Sequence, residues 1–186
     1  MSITHNEYEM IKKMIGDFLQ QRREEVGLTQ AGVAESAGIR ESTVQRIESG
    51  KFIPGGKTLL RLCEALSLQL IFQASSKPNL KKEMQAGWVQ RGQFTGTIDN
   101  PGTLDDSQLE KLITQLGNYF FERRKKLRLT PEMLSEIARL GIPSIQRIET
   151  GQHFPDGKTI VKLCYGLDSV FYPMERPADG SLVTFG

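Results

Sequence analysis

The sequence predicts a mainly α fold in which one small helical domain is built twice in tandem, each copy closing with a short β-strand. Three observations carry this. Gln45-Arg46-Ile47-Glu48 returns as Gln146-Arg147-Ile148-Glu149, 101 residues later. The match extends without a gap from 15–66 to 116–167, where nineteen of fifty-two pairs are identical. Within each copy, apolar residues recur at helical spacing and then change to a partly alternating, β-forming run. A repeat of this kind decides architecture before any single element does. The chain therefore divides into a first domain over 1–76, a linker over 77–102, a second domain over 103–175 and a tail over 176–186. The strands, 68–73 and 169–172, are expected to pair antiparallel at an approximate two-fold axis.

In the first copy, Thr4-His5-Asn6-Glu7 reads as a capping box. Met10, Ile11, Met14, Ile15, Phe18 and Leu19 then predict a helix over 6–26 that Gly27 stops. Thr29 caps a short second helix ending at Ala37, with Val33, Ala34 and Ala37 inward. Gly38 gives the turn, and a third helix over 41–49 buries Val44 and Ile47 before Gly50 ends it. After the loop 51–56, Leu59, Leu60, Leu62, Cys63 and Leu66 form the inner face of a fourth helix over 57–66.

The second copy repeats the plan. Asp105 to Gln108 is the counterpart of the capping box, and Leu109, Leu112, Ile113, Leu116, Tyr119 and Phe120 line one face of a helix over 106–127. Thr130 caps the next helix, with Pro131 at its first position. Gly38 is replaced by Arg139, and Gly141 follows two residues later, which predicts a reshaped turn. Pro143 opens the third helix, and Pro173 is expected to end the second strand. Between the copies, the segment containing Trp88 and Phe94 reads as a linker, with Trp88 as a buried anchor the alternative. In the tail, 182–185 suits a short edge strand.

Composition narrows the function. The formal net charge of +2 excludes a strongly basic wrapping protein, so any nucleic-acid contact must come from local clusters of Lys and Arg. No apolar run of about twenty residues is present, and the N-terminus lacks a secretory pattern, so a cytoplasmic chain is expected. Cys63 and Cys164 occupy equivalent positions inside apolar helical patterns and read as buried free thiols, a disulfide between them being the alternative. No CxxC pair or His/Cys cluster suggests a metal, and no cofactor motif is seen. His5 and His153 lack partners at ligand spacing, and no set of acid, base and nucleophile points to an enzyme.

The arrangement Leu28-Thr29-Gln30, Ala37-Gly38, Thr43 to Lys51 and Pro54 resembles the lambda-repressor-like (Cro/Xre) helix-turn-helix family. The second copy, Leu129-Thr130, Ser144 to Gly151 and Pro155, is similar but weaker. A strand directly after the last helix resembles the high-persistence antitoxin type, in which such strands pair across a dimer. Here one chain holds both, which implies a pseudo-dimer.

The resemblance implies roles residue by residue. Glu41, Ser42, Gln45 and Arg46 lie on the base-reading face of the third helix, and Ser144, Gln146 and Arg147 are their counterparts, with Ile142 and Pro143 replacing the polar start. Gln30, Thr43, Lys51, Lys57, Gln152 and Lys158 are placed to meet phosphates; Pro131, at Gln30's position, cannot donate. Arg23 with Glu48, and Arg124 with Glu149, match a buried ion pair tying helix one to helix three. Independent physics agrees: a major groove admits one helix, Arg can pair bidentately with guanine, and Gln suits adenine. The run Arg123 to Lys126 with Arg128 reads by default as a solvated helix C-terminus complementing the dipole.

The expectation is a sequence-specific, double-stranded-DNA-binding transcriptional regulator, most simply a repressor acting by occupancy of a pseudo-palindromic operator. Phage, plasmid and toxin–antitoxin settings all suit it by resemblance. The rival is an antitoxin or adaptor whose main partner is a protein such as a toxin, with DNA secondary. A second copy of the chain is a further partner to consider.

Overall fold

The computed structural model describes residues 3–75 and 105–175. The linker with Trp88 and the tail with its edge-strand segment lie outside the described residues. The first unit comprises α1 (His5–Glu25), α2 (Gln30–Ser36), α3 (Glu41–Glu48), α4 (Gly56–Ala65) and β1 (Leu68–Ala74); the second comprises α5 (Asp106–Lys126), α6 (Pro131–Ala138), α7 (Ile142–Glu149), α8 (Gly157–Gly166) and β2 (Ser169–Glu175).

Each long helix begins with a reciprocal cap. The Glu7 amide donates to Thr4 Oγ1 at 3.3 Å while the Thr4 amide donates to Glu7 Oε2 at 2.8 Å. At the equivalent place, Gln108 N donates to Asp105 Oδ1 at 2.7 Å and Asp105 N to Gln108 Oε1 at 3.0 Å. Thr29 and Thr130 cap α2 and α6 by accepting from Gly32 and Met133. Met10 and Met14 aside, the apolar faces expected of α1 and α5 are buried in the core with Val44, Ile47, Ile145 and Ile148. Cys63 and Cys164 are free and buried, and burial pushes the Cys164 thiol far up.

Four left-handed residues turn each unit, at the same offset of 101: Gly27 and Arg128, Gly38 and Arg139, Gly50 and Gly151, Ser67 and Asp168. The turn between α6 and α7 is therefore not reshaped as expected. Arg139 itself takes φ 52° where Gly38 has 61°, and Gly141 is an ordinary extended N-cap at φ −66°. The fold holds the left-handed turn even where a side chain makes it strained.

β1 and β2 form a two-stranded antiparallel sheet in which Ile71 faces Tyr172 and Phe72 faces Phe171. Ile71 and Tyr172 are equivalent positions of the repeat, so the pairing is centred on like residues. The strand does not end at Pro173, which lies opposite Leu70. Ser75 N donates to Asp168 O at 2.8 Å. Hydrogen-bonded pairs alternate in an antiparallel ladder, so counting back from 75 and 168 puts Leu70 and Pro173 in a non-bonded pair. The proline's missing N–H is not needed there. Phe72 stacks on Phe171 at 5.7 Å and reaches Phe120 edge-on at 5.9 Å, so the sheet ties the first unit's strand to the second unit's core.

A second seam joins the loops after α3 and α7. Gly56 N donates to Pro155 O at 3.2 Å. A Cβ on Gly56 would fall inside the Phe154 ring, and one on Gly157 would meet the Ile53 side chain and the Pro54 carbonyl. These contacts join equivalent residues reciprocally, which is why glycine stands at both positions.

Candidate nucleic-acid interface

The site is built outward from α3 and α7. In α3, Val44, Ile47 and Glu48 are buried, which turns Glu41, Ser42, Gln45 and Arg46 to the exposed face. In α7, Ile145, Ile148 and Glu149 point inward and Pro143, Ser144, Gln146 and Arg147 are exposed, with Ile142 half-buried. Arg46 rests its guanidinium 5.0 Å over the Phe52 ring, and Gln45 Nε2 lies 3.4 Å from Glu41 Oε1. His153 stands at the place of Phe52 beside Arg147.

Both short helices are locked by the same clamp. Arg23 donates through Nε to Glu48 Oε1 at 2.7 Å and through Nη2 to Oε2 at 3.1 Å, while Nη1 reaches the Leu28 carbonyl at 3.0 Å. Arg124 repeats this on Glu149 at 2.6 and 2.7 Å, with Nη1 on the Leu129 carbonyl at 3.0 Å. The side chains are 12% and 5% exposed in the first pair and 6% in both members of the second. The hydrogen bond from each guanidinium raises its pKa further above the ordinary arginine value. Close approach of the helices needs Gly16 and Gly117, where a Cβ would strike the carbonyl of Ile47 or Ile148.

The phosphate candidates divide. Lys51, Lys57, Gln152 and Lys158 are exposed and Thr43 is half-buried. Gln30 is shared with the clamp: one N–H of its Nε2 donates to Glu48 Oε2 at 2.7 Å, and the other hydrogen of the amide group is not used by that bond. Lys158 Nζ lies 5.5 Å from the centre of the Tyr8 ring, across the boundary between units. The basic run at the end of α5 is not uniformly solvated: Arg123 donates to the carbonyls of Leu167 and Asp168, and Arg124 is the clamp.

Sequence reasoning missed the work of Arg22 and Arg123. Arg22 Nε donates to Leu66 O at 3.2 Å, as Arg123 Nε does to Leu167 O at 2.9 Å, closing the C-terminus of α4 or α8 where the chain turns into its strand. Their identity in both copies was the available signal. Phe52 as a platform for Arg46 was hidden for the opposite reason, since His153 breaks the repeat there.

The units also differ in surface. Phe121 and Met133 are exposed at 37% and 46%. With Pro131 and Gln146, Phe121 borders an open groove over the Arg124–Glu149 clamp. The equivalent residues of the first unit are Gln20, Gly32, Gln30 and Gln45.

Residues 19–72, from within α1 through most of β1, match the helix-turn-helix family. The match supports one Cro/Xre-like domain at these residues, and the family is a DNA-binding regulatory one. No curated protein and no solved structure gives a significant match to the chain. Among the described residues, no helix is long and apolar enough to cross a membrane, and no group of His, Cys, Asp and Glu is arranged to hold a metal.

Proposed function

We propose that the chain is a sequence-specific double-stranded-DNA-binding transcriptional repressor, built as two tandem helix-turn-helix domains over 1–76 and 103–175 that act as a pseudo-dimer. The observation that carries the reading is the register of the ribbon. Equivalent residues Ile71 and Tyr172 face each other, and the same offset relates Gln45-Arg46 to Gln146-Arg147. Two like reading helices about a two-fold axis suit successive major grooves about 34 Å apart. Glu41, Ser42, Gln45, Arg46, Ser144, Gln146 and Arg147 read bases; Gln30, Thr43, Lys51, Lys57 and Gln152 meet phosphates. Lys158 is shared between phosphate and the inter-unit cleft. The operator is pseudo-palindromic with unequal halves, because Ile142 and Pro143 replace Glu41 and Ser42.

The test is selection of bound fragments from random DNA, followed by titration of variants against selected and scrambled duplexes at several salt concentrations. Arg46→Ala and Arg147→Ala should each cost about 1–3 kcal/mol on the selected site and relax one base position. Lys57→Ala should weaken every duplex and reduce the salt slope by about one. Equal loss on both duplexes for Arg46→Ala would make it a phosphate clamp only.

A second reading rests on the exposed Phe121 and Met133 and on Ile142 and Pro143 at the start of α7. In it the second unit docks a protein, such as a toxin, and the first reads DNA. Unchanged DNA affinity for Arg147→Ala, together with a co-purifying protein lost on Met133→Ser, would favour it.

A further inference from the structure

We propose that the cleft between the start of α1 and the second unit is a binding site for a small, multiply charged anion bearing phosphate or carboxylate groups. The cleft has a volume of about 280 Å³, and its walls include Thr4, His5, Tyr8, Arg139, Lys158 and Lys162. No acidic side chain among the described residues lines it. Lys162 Nζ is fixed by donating to the Arg139 carbonyl at 3.1 Å, and Lys158 Nζ sits against the Tyr8 ring. Three permanent cations thus converge from one unit on the first turn of a helix in the other, where the N-terminal dipole adds positive potential.

The repeat supplies the decisive comparison. The equivalent seam, between α5 and the first unit, pairs Asp106 with Arg61 at 3.5 Å. Displaced by the repeat, Arg61 becomes Lys162 and Asp106 becomes His5. One side of the molecule carries its own carboxylate; the other keeps the cation, adds Arg139 where the first unit has Gly38, and has lost the acid. An anionic ligand there would replace the missing carboxylate and bridge the two units. The acids that act on the cleft walls are engaged elsewhere: Glu7 is held in the Thr4 cap, Asp156 caps α8 and Glu9 pairs with Lys12 at 2.7 Å.

The experiment uses the full chain with inorganic pyrophosphate and citrate as probes, read by thermal unfolding and calorimetry, with sodium chloride at matched ionic strength as reference. Neither readout depends on DNA binding. A ligand that binds only the folded chain raises its unfolding temperature, so pyrophosphate or citrate should do so beyond the chloride reference. Arg139→Gly, which copies Gly38, and Lys162→Gln should each weaken binding by about tenfold or more, as the loss of a charge-assisted hydrogen bond does. Arg46→Ala and Lys57→Gln should leave it unchanged. His5→Asp, which copies Asp106, should raise the unfolding temperature by itself and remove the response to the probe. A response equalled by chloride, or retained in both Arg139→Gly and Lys162→Gln, overturns the proposal. A phosphate-specific site would answer to pyrophosphate alone, a general polyanion site to citrate as well.

Discussion

The two units share a frame and differ in what they present. In both, an arginine from the long helix grips a glutamate at the end of the short exposed helix with two hydrogen bonds, and a glycine lets the helices touch. In both, four residues turn the chain left-handed at the same places. The exposed faces diverge. The first unit carries Glu41 and Ser42 at the start of α3, Gln30 at the start of α2 and Phe52 beneath Arg46. The second carries Ile142, Pro143, Pro131 and His153 at those places. The two units share the interactions that set geometry and differ in the residues they expose. Geometry and recognition are therefore separable here, and the comparison can be tested one layer at a time.

The largest expected effect lies in the shared frame. Glu149→Ala leaves the buried Arg124 guanidinium, and Glu48→Ala the partly buried Arg23 guanidinium, without its carboxylate, and breaking such a pair costs roughly 3–5 kcal/mol when it is fully buried. Glu149→Ala belongs at the upper end, since both partners there are 6% exposed and Pro131 offers no side-chain substitute. In Glu48→Ala, Gln30 remains beside Arg23 with a carbonyl oxygen that can turn toward it. Chemical denaturation monitored by circular dichroism measures both. A loss under about 1 kcal/mol in either would show that the glutamates are surface groups and that the frame is not common.

Next in size is the seam between the units. Gly157→Ala drives a methyl into the Ile53 side chain and the Pro54 backbone carbonyl, whereas Gly56→Ala meets the ring of Phe154, a side chain that can rotate away. Overpacking of this kind typically costs about 1–3 kcal/mol, and Gly157→Ala should be the more costly. The informative readout is whether unfolding stays a single transition. If Gly157→Ala separates it into two, the loop seam couples the halves; if both variants unfold like the parent, the loops touch without holding the units in relation.

How much of this was legible follows from the kind of interaction. Helices, caps and the partner strands could be read because caps and periodicity are local and every signal occurred twice. The clamp was expected from the family resemblance, in which Arg23 with Glu48 and Arg124 with Glu149 match a buried ion pair; spacing alone does not pair them. Contacts between the units were not legible: nothing local to Gly56 announces Phe154, and nothing local to Lys158 announces Tyr8. The fate of Pro173 depended on ladder parity, which one strand alone does not fix. Arg139 misled for a related reason. Its sequence neighbourhood offered Gly141 as an easier turn, but the left-handed residue stands at Arg139, the position equivalent to Gly38.

That last case gives the smallest and sharpest test. A non-glycine residue in the left-handed region costs about 1–2 kcal/mol, while glycine adds roughly 0.5–1 kcal/mol of unfolded-chain freedom that opposes folding. Arg139→Gly should therefore stabilise the chain by a few tenths to about 1 kcal/mol. The exposed Arg139 side chain has little packing to lose, and the Lys162 bond survives because it goes to the backbone oxygen. The mirror variant, Gly38→Arg, should destabilise by a similar amount, since nothing lies within 4 Å of a Cβ there and backbone strain is the whole effect. Measured together by denaturant titration without added polyanion, the two changes should be opposite in sign and close in size. If Arg139→Gly destabilises instead, its guanidinium holds the inter-unit seam even without a ligand, and the two turns, alike in backbone, are unlike in energy.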